Sequence, residues 1–387
     1  MKRKKGSIKI GKTLLICSML VIITITSEFS SIRSWEGALK VEGTMHVLEG
    51  ECFEQIITQE DWAYLNVRNT SNEYIETINI SQRTNPERIG RFTFQPNSFV
   101  RKMRIKDNIL YTLIFRRIGT TTRYNCSLTL INITKPSSPT LIGEYTETNT
   151  STSNDFVLYK NYSYICSDVY LKILDLTNKT DIKLVTEQQI ASNNMEESEG
   201  VLYLFRNTLQ AYDLTNPEQP TIMGELNDSR IISTGMINKA MDVKGKYVYT
   251  VYSGLFAIDF SEPINPKIID KYTFPRRDFD TYLIEAIAIS GDYIFTCGSD
   301  SYAFSIRNPN IIRRVAKSEV DGVSIWADEG EIFIVSWNDF HILTINDQTK
   351  LIIGLSVGGG ILLAVPVGVL LTLLVRKLKV KRIENKN

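Results

Sequence analysis

Apolar and polar residues alternate in short runs along most of the chain. "AMDVKG" (240–245), "KYVYTVY" (246–252), "LFAIDF" (255–260) and "PKIIDKY" (266–272) form one such group, with Gly, Asp and Pro between its members. A period of two over runs this short, bounded by turn residues, predicts four β-strands. Outside the two hydrophobic ends, no stretch holds a helical period for three turns.

The group recurs. "LTLINITKPSSPTLIGEY" (128–145), "LQAYDLTNPEQPTIMGEL" (209–226) and "LFAIDFSEPINPKIIDKY" (255–272) share one plan. An aromatic column precedes it at Tyr64, Tyr111, Tyr164, Tyr203, Tyr249, Phe295 and Phe333. A second column follows 10 to 21 residues later, at Asn79, Asn132, Asp175, Asp213, Asp259, Ser305 and Thr344. Seven copies at a period of 38 to 53 residues predict a propeller or solenoid, not a mosaic of domains. Eight of the eleven prolines (Pro86, Pro136, Pro139, Pro217, Pro220, Pro263, Pro266 and Pro309) fall between the third and fourth strands. There a fixed φ suits the turn, and a missing N–H at the sheet edge breaks no ladder bond. The Asp column, followed two residues later by Ser or Thr, is expected to cap turn N–H groups, a structural duty.

The seventh copy lacks its fourth strand, while "ALKVEGTMHVL" (38–48) precedes the first copy without belonging to it. An N-terminal strand that completes the last blade removes two exposed sheet edges. The prediction is an all-β domain over residues 36–350, a seven-bladed β-propeller of four-stranded blades closed by that strand. "LKILD", "LQAYD" and "LFAID", each running into [ST]-[NE]-[PK], resemble the LVIVD-repeat family. The resemblance covers residues 60 to 350. It implies a β-propeller on a secreted or surface protein, often held by a membrane anchor. It brings no catalytic motif, and "IETINISQRTNP", "YAFSIRNPN" and "FHILTIND" depart from it by lacking the Asp.

The two ends change the picture of an apparently neutral protein. Six Lys/Arg and no acid occupy residues 1–27, where Leu14 to Thr26 form an apolar core too short for a comfortable span. This predicts a signal peptide, with an uncleaved anchor as the alternative. Leu351 to Val375 carries no charge over 25 residues, long enough to cross about 30 Å of hydrocarbon as a helix. The basic tail 376–387 follows and predicts a cytoplasmic C-terminus. Gly354 and Gly358, with Ala364 and Gly368, have the spacing of helix-mediated homodimers. Residues 28–375 hold 32 Lys/Arg against 42 Asp/Glu, which excludes nucleic acid as the expected partner. Cys52, Cys126, Cys166 and Cys297 allow three pairings, among which sequence does not choose.

Recognition is expected on the loops of one face, those joining blades and those between second and third strands. Within them, Arg276, Arg277 and Phe279 combine a bidentate fork with an aromatic platform for a carboxylate, phosphate or sugar. Arg116 and Arg117, with Arg123, form a second basic cluster; both clusters have local ion pairing as the plainer reading. Sequons at Asn149, Asn69, Asn125, Asn161, Asn178 and Asn227 are glycosylation candidates, Asn149 first because it lies in a polar loop. Those at Asn79 and Asn132 coincide with the Asp column. Only two histidines occur, with no metal spacing, no nucleophile elbow and no phosphate loop. Carboxylate pairs such as Glu196/Glu197 are expected in solvated loops. The resulting expectation is a non-enzymatic cell-surface module without cofactor or metal, binding a protein or glycan. An extracellular propeller enzyme acting on carbohydrate is the alternative.

Overall fold

A computed structural model describes residues 37–345 apart from residues 71, 119–123, 151–152, 232–239, 252–253 and 275–283. The expected signal peptide, membrane helix and basic tail all lie outside the described residues. Every element within them is a strand, and no helix there is long and apolar enough to cross a membrane.

The strands form seven four-stranded antiparallel units arranged like propeller blades. Blades 1 to 6 occupy residues 51–93, 98–150, 153–188, 194–226, 240–272 and 284–318, and blade 7 begins at residue 324. In each, the second strand pairs with the first and third, and the fourth lies outermost. The first strands touch their neighbours in cyclic order, and that of blade 7 returns to that of blade 1. Blade 7 contributes only three strands from its own stretch of chain, ending with Asp339–Ile345. Its fourth place is taken by Gly37–His46, as the incomplete last copy predicted. Glu42 meets Thr344, Thr44 meets His341 and His46 meets Asp339 along this antiparallel seam. The start of the same strand also pairs in parallel with blade 6, Gly37 opposite Ala316.

Local chemistry explains the strand ends. Asp107-Asn108, Glu199-Gly200 and Glu329-Gly330 hold both central residues at positive φ, the hairpin turn whose twist matches that of its strands. The expected capping role of the Asp column is met. Asp213 Oδ1 accepts from Thr215 N at 2.8 Å and Oγ1 at 2.7 Å, and Asp175, Asp259, Asn79 and Asn132 each accept from the backbone N–H two residues on. The Thr hydrogen bonds hold the Asp175 and Asp213 carboxyls below their ordinary value.

The hydrophobic core lies between blades. All seven column aromatics are at most 2% exposed. Tyr64, for example, packs with Val100, Met103 and Leu110 of blade 2. Tyr164 adds a hydrogen bond across the interface, its hydroxyl donating to Pro217 O at 2.7 Å.

A glycine at the bulge of the fourth strand fits blade to blade in blades 1, 2 and 4, where blades 3, 5 and 6 have Thr186, Asp270 and Ala316. A Cβ on Gly90, Gly143 or Gly224 would sit 2.5, 2.1 or 1.7 Å from a backbone carbonyl in the next blade's third-to-fourth-strand turn. Gly43 meets Arg83 O in blade 1 in the same way, at 1.8 Å. The N-terminal strand is therefore built like the fourth strands it replaces.

Candidate functional site

First strands start at the face where inter-blade links and second-to-third-strand hairpins meet, so their opening residues form rings about the centre. Register identifies one ring: Gln55, Lys102, Asp155, Asn194, Ala240, Ala286 and Ser324 each pair two residues beyond the aromatic column. All seven line one cavity of 480 Å³, together with Glu54, Arg101, Glu285 and the half-exposed Trp337. The cavity is the mouth of the central channel, polar on five blades and alanine-lined on two.

Some of its polar groups are satisfied from within. Gln55 Nε2 donates to Arg101 O at 2.8 Å, and Asn154 Nδ2 donates to Ser192 O at 3.0 Å. Lys102 Nζ lies 3.7 Å from Asp155 Oδ2, and Arg68 holds Glu54 at 2.6 Å. Burial raises the Glu54 carboxyl, with Arg68 opposing. Asp155 ties two blades together, accepting from Phe156 N at 2.8 Å and Met195 N at 3.2 Å. Asn194 Oδ1 is buried without a hydrogen-bond partner among the described residues.

One tier below stand the residues opposite the aromatics themselves: Ile57, Arg104, Val157, Glu196, Asp242, Ala288 and Trp326. Here Arg104 of blade 2 reaches past blade 3 to Glu196 of blade 4, at 2.9 Å. On the way its Nε donates to Phe156 O at 2.5 Å. Burial disfavours the guanidinium charge, but Glu196 and Asp155 outweigh it and push the pKa up. Asp242 accepts from Val243 N and Ile289 N, each at 2.7 Å. Burial and the Glu196 charge nonetheless lift it to about 7. A one-cation, two-carboxylate cluster thus floors the mouth cavity. Such a site can hold a small polar molecule by hydrogen bonds, with an aromatic face at its edge.

The structure divides the residues expected from sequence. Arg116 and Arg117 close the second strand of blade 2, Ile109–Arg117, on the same face. Arg116 Nε donates to Ser98 Oγ at 3.4 Å, and neither arginine lines the cavity. Arg276, Arg277 and Phe279 lie outside the described residues. Glu196 and Glu197 correct the expectation of a solvated loop, since both sit in the short first strand Asn194–Ser198. Only five residues long and poor in β-branched side chains, that strand gave no alternation to read. A different count finds it. Arg104, Glu196 and Asp242 each stand seven residues before a column aromatic.

Of the sequons, Asn161 and Asn227 are exposed, and Asn178 Oδ1 accepts from Thr180 N at 3.1 Å. Asn69 and Asn125 are half-buried at strand ends. Asn149 falls within the long strand Thr140–Thr150, not in a loop. The four cysteines among the described residues are free thiols. Burial pushes Cys126 up to about 11, and raises Cys166 and Cys297 as well. Such thiols are poor nucleophiles. No cluster of three or more His, Cys, Asp or Glu able to hold a metal occurs among the described residues.

Fold and site together define a blade-repeat β protein with a polar channel mouth. A model described as the LVIVD repeat matches residues 124–147, 152–188 and 238–273. The matches cover the outer half of blade 2 and the whole of blades 3 and 5, consistent with an LVIVD-repeat β-propeller. Among solved structures, the chain is similar to the computationally designed Ika8 protein. The TM-score is 0.50 at 8% identity, over 80% of this chain and 100% of that one, a likeness of fold alone. No curated protein matches the chain.

Proposed function

We propose that this protein is a cell-surface binding module: a seven-bladed propeller carried outside the membrane by the helix Leu351 to Val375, engaging a protein or glycan partner. The observation that carries this reading is the 480 Å³ polar cavity to which every blade contributes a residue. A packed propeller has no structural need for an open mouth lined with Gln, Lys, Asp and Asn, whereas recognition does. The basic, apolar and basic segments at the chain ends support the address. The module works without cofactor or catalysis, and its bound partner keeps its covalent structure.

The carboxylates of Glu54, Asp155 and Glu285 at the same mouth favour one second reading, hydrolysis of a carbohydrate. Two measurements on intact cells making the full chain separate the possibilities. Added protease is expected to remove the propeller and leave the tail protected; a fully protected propeller would contradict the surface address. Polysaccharides from the same surface are expected to release no new reducing ends. Their release by wild type but not by Glu54→Gln would establish the enzyme instead.

A further inference from the structure

One irregularity recurs in the first strands. Pairing with the second strand skips Glu54 in blade 1, Arg101 in blade 2, Asn154 in blade 3 and Glu285 in blade 6. Each skipped residue stands three before the partner of its blade's column aromatic, so the skips share one level of the ring. All four line the mouth cavity. Bulges of this kind gather next to binding sites, where they re-aim a side chain. Two of the four are engaged locally, Glu54 by Arg68 at 2.6 Å and Asn154 through Ser192 O at 3.0 Å. Lys102, also in the wall, lies 3.7 Å from Asp155. Arg101 is exposed and Glu285 half-buried, and neither has an ion-pair partner among the described residues. They come from blades 2 and 6, as far apart as two blades stand in a ring of seven. Glu285 is the one charged side chain that blades 4 to 7 bring to the cavity lining, and Trp337, 50% exposed, comes from blade 7 next to it. The mouth thus separates its open charges, a guanidinium on one wall and a carboxylate on the other. A guanidinium takes a carboxylate through two parallel N–H groups, and a carboxylate with an aromatic face nearby takes a cation. The volume of 480 Å³ falls within the range of about 300–1,000 Å³ for compact ligands, which suits a short segment and not a whole protein face. We infer that the channel mouth binds a protein partner through a short dipolar segment, with an acidic side chain on Arg101 and a basic one on Glu285.

This inference rests on the binding reading above, and its test separates the two. The probes are capped peptides with one Lys and one Glu held apart by a graded run of Gly, beside peptides in which Gln replaces either charge. Full-length protein in a non-ionic detergent is titrated by saturation-transfer NMR. At least one dipolar peptide is expected to bind with Kd of about 0.1–10 mM, more weakly as salt is raised. Both Gln-substituted peptides should bind about fivefold more weakly or worse. Arg101→Glu and Glu285→Arg should each weaken the dipolar peptide about tenfold. The double variant exchanges the two charges and should recover to within about threefold of wild type, since a capped peptide can enter the other way round. Arg116→Ala, basic and on the same face but outside the cavity, should change nothing. If the double variant does not fold, Arg101→Gln and Glu285→Gln decide, each expected to lose about fivefold. No binding by any dipolar peptide, equal binding of the Gln-substituted peptides, indifference to both positions, or a folded double variant that does not recover would overturn the inference. If peptides fail while a surface partner captured by wild type is still lost in Trp337→Ala, or if that partner proves to be a glycan, only the dipolar class falls. If Trp337→Ala captures the partner as well as wild type, the site falls with it.

Discussion

Replacing Gly43 by Ala tests whether the N-terminal strand is the fourth strand of the last blade. The added Cβ would lie 1.8 Å from Arg83 O and 2.9 Å from its carbonyl carbon, where ordinary contact begins at 3.4 Å. Two backbones must therefore part by more than 1 Å, at a cost of about 1–3 kcal/mol for an overfilled contact. Loss of glycine's freedom in the unfolded chain returns about 0.4–1 kcal/mol. The net, about 1–2 kcal/mol, lowers Tm by roughly 1.5–3 °C at this chain length. Gly224→Ala, whose Cβ would meet Pro263 O at 1.7 Å, provides the internal standard, and Lys40→Ala on the same strand the control. Thermal melts of the full-length protein by circular dichroism should rank Gly43→Ala with Gly224→Ala, both below Lys40→Ala. A Gly43→Ala melt equal to wild type, with Gly224→Ala lowered, would refute closure by this strand. Two unchanged melts would refute the inter-blade role of the column itself.

Three further substitutions probe the interior. Glu73 is buried, its Oε2 accepting from Val100 N and Asn66 Nδ2 while Oε1 has no partner among the described residues; burial lifts the carboxyl to about 7. Because this pKa lies above that of the unfolded chain, its stabilisation is complete at low pH and is lost as pH rises through about 7. Glu73→Gln should therefore raise Tm above wild type at pH 8 and reduce the loss of stability between pH 5 and 8; an unchanged pH profile would contradict the assignment. Arg104→Met leaves Glu196 and Asp242 without their cation and should cost about 3–5 kcal/mol, less at pH 5 than at pH 8. Equal losses at both pH values would show that the cluster is not electrostatic. Tyr164→Phe should cost about 0.5–1.5 kcal/mol through the lost bond to Pro217 O, read as a lower Tm.

The architecture was legible because its signals repeat. The aromatic column is a buried inter-blade residue in all seven copies, and Pro pairs bound the same turn in three of them, so each copy corroborates the next. Closure was legible from an omission, the fourth strand missing after Asp339–Ile345. The Gly column was equally readable in "IGRF", "IGEY" and "MGEL", where a close approach leaves no room for a side chain. The site was not legible. Its residues come from seven first strands about 40 residues apart, and each is a single polar residue in an otherwise ordinary stretch. Gln55, Asp155 and Asn194 acquire meaning only when ring geometry brings their register positions together. Loop composition pointed instead to arginines. Arg116 is bonded to Ser98 away from the cavity, because a side chain at the end of a second strand stands at the rim and not at the axis.

The role proposed for the channel mouth is recognition of a partner at the cell surface. Its most direct test is crosslinking capture on intact cells expressing the full-length protein, wild type beside Trp337→Ala and Arg116→Ala. One reproducible surface partner is expected, kept by Arg116→Ala and lost by a folded Trp337→Ala. Capture that is undiminished in Trp337→Ala, or no surface partner at all for a folded wild type, would contradict it.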